Sequence, residues 1–272
     1  MKFKHIIISF NILIIVFLLV IALTPLIALG SEFAVKFWIS GWPLALVLVL
    51  TLIGLNVFFL MNKRLFKLLE REDWPALVDY LEHRLYDKNS YPQSLVRLLA
   101  NSCIILSDSE AVMRLEKKVS AAKPALLDKN ALIFGTARIL GGDISGAASF
   151  FKARLEKGRV KNTQWIRFFY SFAQLLSRDF KAAETGFSAL AAGSDEAVIT
   201  GLSSWFLSET LYKFSAGQDE CIKQAEQGRQ RILQKFKTSD AWKKEAAKIE
   251  TEIHAALIKK YIDQCAAWLY NK

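Results

Sequence analysis

Two zones of different hydrophobic pattern divide the chain. Residues 6–29 run without a charge, 43–61 form a second uncharged run, and from residue 62 onward apolar positions recur at threes and fours between charged ones. About 20 apolar residues in a helix span the ~30 Å hydrocarbon core of a bilayer. The first zone therefore predicts two membrane spans, about 6–29 and 43–61. Between them the stretch GSEFAVKFWISGW reads as a short connector, whose Phe37, Trp38 and Trp42 suit the headgroup layer. The first run also has a basic start (Lys2, Lys4) and a small-residue site (Ala28-Leu29-Gly30), as a secretion signal would. Its length exceeds the usual core of about 7–15 residues for such signals, which favours an uncleaved anchor.

The second zone is punctuated by aspartates. Asp73, Asp108, Asp143 and Asp179 stand 35, 35 and 36 residues apart (108 − 73, 143 − 108, 179 − 143), each between two apolar helical stretches. An Asp just ahead of such a stretch accepts a hydrogen bond from the free N–H groups of the helix it begins. Gly141-Gly142 relieves the backbone at the helix end before Asp143. Each aspartate thus predicts a helix stop followed by a helix start, two helices per period, and a fixed period of this size marks a stacked helical array.

On these residues the chain resembles the tetratricopeptide repeat family, whose unit is a helix–turn–helix of about 34 residues. The third unit carries Gly135, Gly142-Asp143, Ala147 and Phe151, and the fourth carries Ser171, Asp179-Phe180, Ala183 and Phe187. The second keeps Ala100, Asp108 and Pro124 but has Val112 and Glu116 where the pattern wants Ala and an aromatic. The resemblance covers about residues 62–230. It implies an all-α fold: two transmembrane helices (1–62), a tetratricopeptide-like α-solenoid (63–236) and a long C-terminal helix (237–272). In the family the first helices of successive units line a concave groove. Carried onto this chain, that frame places Arg97, Asn101, Leu132, Thr136, Ile139, Trp165, Phe168 and Phe172 there. Such a row suits an amphipathic helix or an apolar peptide. Helical spacing of aromatics equally describes a self-filled core, and both readings stand at this level.

Charge adds a sidedness. Of 272 residues, 36 are Lys or Arg and 26 are Asp or Glu, a net charge of +10. Lys2 and Lys4 precede the first run, and Lys63, Arg64, Lys67 and Arg71 follow the second. By the positive-inside rule both chain ends are expected in the cytoplasm, with the protein in the inner membrane as a multi-pass chain. Lys152, Arg154, Lys157, Arg159 and Lys161 cluster near the end of the third unit. A solvated helix end explains them, and attraction to anionic headgroups is the more natural functional use. Nucleic acid ranks below, because no reader motif accompanies the charge.

Catalytic chemistry has little to build on. The chain holds no phosphate-binding glycine motif, no H-E-x-x-H and no G-x-S-x-G. Cys103, Cys221 and Cys265 are far apart beside apolar neighbours, which predicts buried helical thiols. His5, His83 and His254 are equally dispersed, so no enzyme, cofactor or metal is expected. After the loop at 237–239 the tail is free of Gly and Pro, with apolar residues by threes and fours from Trp242 to Trp268. It predicts one long helix that covers the last unit, or else pairs with a partner or a second copy. The expected function is that of a membrane-anchored scaffold or adaptor holding a protein partner at the cytoplasmic face. The alternative is an accessory protein of a membrane-associated enzyme pathway, since the layout resembles that of the HemY proteins.

Overall fold

The structure, a computed structural model, describes residues 3–158, 160–250 and 255–270. Among the described residues the protein is all-α, with fifteen α-helices, one 3-10 turn and no strand. It divides into two compact units, Met1–Tyr80 and Leu81–Lys272.

The first unit holds α1 (Phe3–Leu29), α2 (Ser31–Met61) and α3 (Lys63–Glu70), followed by the start of α4 (Trp74–Tyr86). The break between α1 and α2 is Gly30 alone, with φ at +85° and extended ψ, a conformation open to glycine and costly for other residues. The expected connector over 30–42 is therefore corrected: all of it after Gly30 is helix, continuous through Pro43. The physical reason is that nothing between Ser31 and Trp42 stops a helix, whereas Gly30 takes a left-handed conformation that ends one. α1 and α2 pack on each other, and Asn56 donates to the Asn11 side chain at 2.8 Å across that contact. Most large apolar side chains of both helices point outward, from Ile8 to Met61. The stretch Ile8–Ala28 has the length and apolarity to cross a bilayer, a property that signal sequences share. Val49–Met61 reaches that length only together with Lys63–Glu70, from which it is bent by 62°.

The second unit continues with α5 (Gln93–Ile105), α6 (Ser109–Ala122), α7 (Ala125–Lys129), α8 (Ala131–Leu140), α9 (Ile144–Lys157), α10 (Thr163–Leu176), α11 (Phe180–Gly193), α12 (Ala197–Glu209) and α13 (Gln218–Lys235). From α8 to α13 each helix packs on its successor. The tail forms α14 (Ser239–Glu250) and α15 (Ala255–Tyr270). These pack on each other and both touch α12; residues 251–254, over which the expected single helix would run, lie outside the described residues.

Chain direction is set by one turn used four times. At Asp73, Asp108, Asp143 and Asp179 the backbone N–H reaches the carbonyl five residues back, at Leu68, Cys103, Arg138 and Gln174. The residue just before each aspartate is left-handed (Glu72, Ser107, Gly142 and Arg178, φ 52 to 79°), and its N–H closes the tighter inner bond. This is the Schellman end of a helix. The same aspartate then accepts the N–H three residues on, from Ala76, Ala111, Gly146 and Ala182 at 2.8 to 3.2 Å. One residue therefore ends one helix and caps the next.

Small residues let successive helices approach closely, both across these turns and between α12 and α13. A Cβ at Gly135 would overlap the Phe151 ring, one at Gly186 the Ser171 hydroxyl, and one at Gly228 the Ser204 hydroxyl. Ala147, Phe151, Ala183 and Phe187 are fully buried beside these crossings. Asp143→Ala should cost about 2 kcal/mol, the upper end for loss of a cap, because it also strips Arg138 of an anion at 2.7 Å. Arg178→Gly should instead gain about 1 kcal/mol by relieving the left-handed backbone. Thermal unfolding of the full chain in detergent checks both, and a neutral Asp143→Ala would contradict the turn's role.

Candidate functional site

The aromatic row predicted on α10 exists, and the chain itself fills it. Trp165, Phe168 and Phe172 are buried, Phe168 completely. Phe168 meets Phe187 at 5.5 Å and Phe206 at 6.3 Å between ring centroids. Phe172 lies 5.7 Å from Phe206. Tyr261, from α15, closes the cluster at 5.7 Å from Phe172, 5.1 Å from Phe206 and 5.6 Å from Trp205. Offset and edge-on rings at these distances add to the area they bury. On α8, Leu132, Thr136 and Ile139 are buried too, and Thr136 gives its hydroxyl proton to the Leu132 carbonyl at 2.7 Å. Arg97 is exposed and Asn101 half-buried on α5. The eight residues thus form no common open surface; six of them are interior.

The basic cluster also separates. Lys152, Lys157 and Lys161 are exposed, and Arg159 lies outside the described residues. Arg154 is instead folded down, its side chain 13% exposed, with the guanidinium 3.6 Å from the centre of the Phe150 ring and 4.0 Å from Asp128. Burial pulls its pKa below the ordinary arginine value. Beside it Arg138, 5.6 Å from the same ring, binds Glu116 at 2.9 Å and Asp143 at 2.7 Å. Burial alone would lower the Arg138 pKa, but the bonds from Glu116 and Asp143 outweigh it and the net direction is up. Glu116, the departure from the aromatic pattern, is therefore the anion of a half-buried charge network.

The expected buried thiols are present: Cys103, Cys221 and Cys265 are all buried. Burial pushes Cys103 up to about 12 and Cys221 up to about 11, so both stay protonated and unreactive at neutral pH. Among the described residues no group of His, Cys, Asp and Glu is placed to hold a metal.

One open recess is a groove between α10 and α11, about 720 Å³ in volume. Its floor is made of small residues on α11 (Ala182, Gly186, Ala189, Gly193) with Ser171 from α10, and its walls carry Gln164, Arg167, Gln174, Lys181 and Thr185. Sequence reading missed it. The signal available was the spacing of 4, 3 and 4 between those small residues of α11, which lays them along one helix face.

An all-α protein with an apolar N-terminal helix is the class these features define. The chain belongs to a family described as "Uncharacterised Treponema protein", whose family model matches residues 111–271. It is also similar to a protein of Treponema pallidum (strain Nichols) described as "Uncharacterized protein", 34% identical over 166 residues, which are 61% of this chain and 53% of that one. The chain thus spans about half the length of this curated relative. The family match falls within the second unit.

If the aromatic row is core, Phe168→Ala should cost about 3–5 kcal/mol, as for other buried Phe truncations. Chemical unfolding of the full chain measures this, and a cost below about 1 kcal/mol would mean that the row is open to an outside partner.

Proposed function

We propose that this protein is a membrane-anchored adaptor: a tetratricopeptide-like stack of helices, held at the cytoplasmic face of the inner membrane by an N-terminal helical hairpin, that binds a protein partner. The observation that carries the reading is the recurrence of one turn, with the same hydrogen bonds, at Asp73, Asp108, Asp143 and Asp179. Turn-linked helix pairs of constant length build extended surfaces, which serve binding better than catalysis. The outward apolar faces of α1 and α2 support the anchor, and the Lys and Arg that flank the two runs support the cytoplasmic side.

Binding has to use the exterior, because the aromatic row is occupied by Tyr261. We therefore assign the partner surface to the α10–α11 groove. A photoreactive amino acid placed at Thr185, on the groove wall, should give one defined protein adduct in living cells. The same group at Lys244, exposed on α14, should give none. Equal adducts at the two positions, or none at either, would overturn the assignment.

A further inference from the structure

The α10–α11 groove has a shape and a charge that select its occupant, and this step rests on the adaptor reading above. The groove follows α11 from Lys181 to Gly193, 12 helical steps and roughly 18 Å at the rise of about 1.5 Å per residue. An extended peptide covers that length in five or six residues at about 3.3 Å each. The floor of Ala, Gly and Ser leaves room for a backbone and short side chains. Along the walls stand hydrogen-bonding groups on both helices, including Gln174 and Thr185.

Charge is one-sided. Arg167 on α10 and Lys181 on α11 are exposed, and neither makes an ion pair among the described residues. The one carboxylate in the lining, Asp179, is engaged as the cap of α11 through the Ala182 N–H. One cation on each of the two helices that form the trench complements a chain that carries carboxylates at intervals. A recess between two helices admits a single peptide strand and excludes a flat bilayer.

We propose that the groove between α10 and α11 binds an extended acidic peptide segment of a partner protein, with Arg167 and Lys181 pairing to its carboxylates. The probe is a fluorescent hexapeptide of alternating Glu and Ala, titrated by anisotropy against the full chain in detergent at low salt. Saturable binding is expected, weakened about tenfold by Arg167→Glu and by Lys181→Glu, and blocked by Ala189→Trp, which fills the trench from an exposed position. The double variant Lys152→Glu, Lys157→Glu removes twice the charge of either single variant from another surface and should leave binding unchanged. No binding, or an equal loss in that double variant, would overturn the proposal, and so would equal displacement by an oligothymidylate of the same charge. Failure here with a persistent adduct at Thr185 would reject only the acidic class of ligand. Loss of both would reject the groove as a partner site.

Discussion

The rest of the helical unit depends on how each helix end is satisfied. A helix leaves four carbonyls and four N–H groups without partners, and a short connection must answer for both sets. Here one aspartate does so: its N–H closes the helix behind it and its carboxylate caps the helix ahead. The geometry demands a left-handed residue just before it, which Gly142 adopts freely and Arg178 adopts at a cost. Once the turn is fixed, the angle between the joined helices is fixed as well. Close crossings at Gly135, Gly186 and Gly228 then follow from placing the smallest residues where the helix axes are nearest.

Packing decides what surface is left for function. The α10 aromatics could have faced a foreign helix, but α15 brings Tyr261 onto Phe172 and Phe206 and makes them interior. Trp242 of α14 is fully buried and lies against Gly201 of α12. The tail is thus part of the core rather than an appendage. Polar groups follow the same logic. Arg138 and Arg154 both lie at the Phe150 ring, Arg138 binding Glu116 and Asp143 and Arg154 standing 4.0 Å from Asp128, so the charges link α6, α7, α8 and α9. The exterior keeps the trench beside α11 and the scattered lysines.

Much of the fold was legible because its determinants are local. Capping aspartates, their spacing and the crossing residues Gly135 and Ser171 can all be read within a few positions of sequence. The helices α1 and α2 were legible as two apolar runs, but the break between them was misplaced: nothing in SEFAVKFWISGW forbids helix, and only Gly30 can take the conformation found between α1 and α2. The site was far less legible. An apolar face at Trp165, Phe168 and Phe172 has the same period whether its cover is a partner or residue 261, nearly a hundred positions away. Arg154 looked like surface charge because the sequence does not show that Phe150 and Asp128 lie beneath it. The trench escaped notice because Ala182, Gly186, Ala189 and Gly193 carry no chemistry of their own, and a recess arises only from what they lack.

The central claim is that the tail is integral to the helical unit and that partners meet its exterior. Amide hydrogen exchange on the full chain in lipid nanodiscs tests it most directly, since helices that open together exchange with a common free energy. The account predicts that the amides around Tyr261 in α15 are protected as strongly as those around Phe168 in α10 and Phe206 in α12. Fast exchange in α15 with α10 and α12 still protected would contradict it, because the tail would then be a displaceable cover over an open aromatic groove.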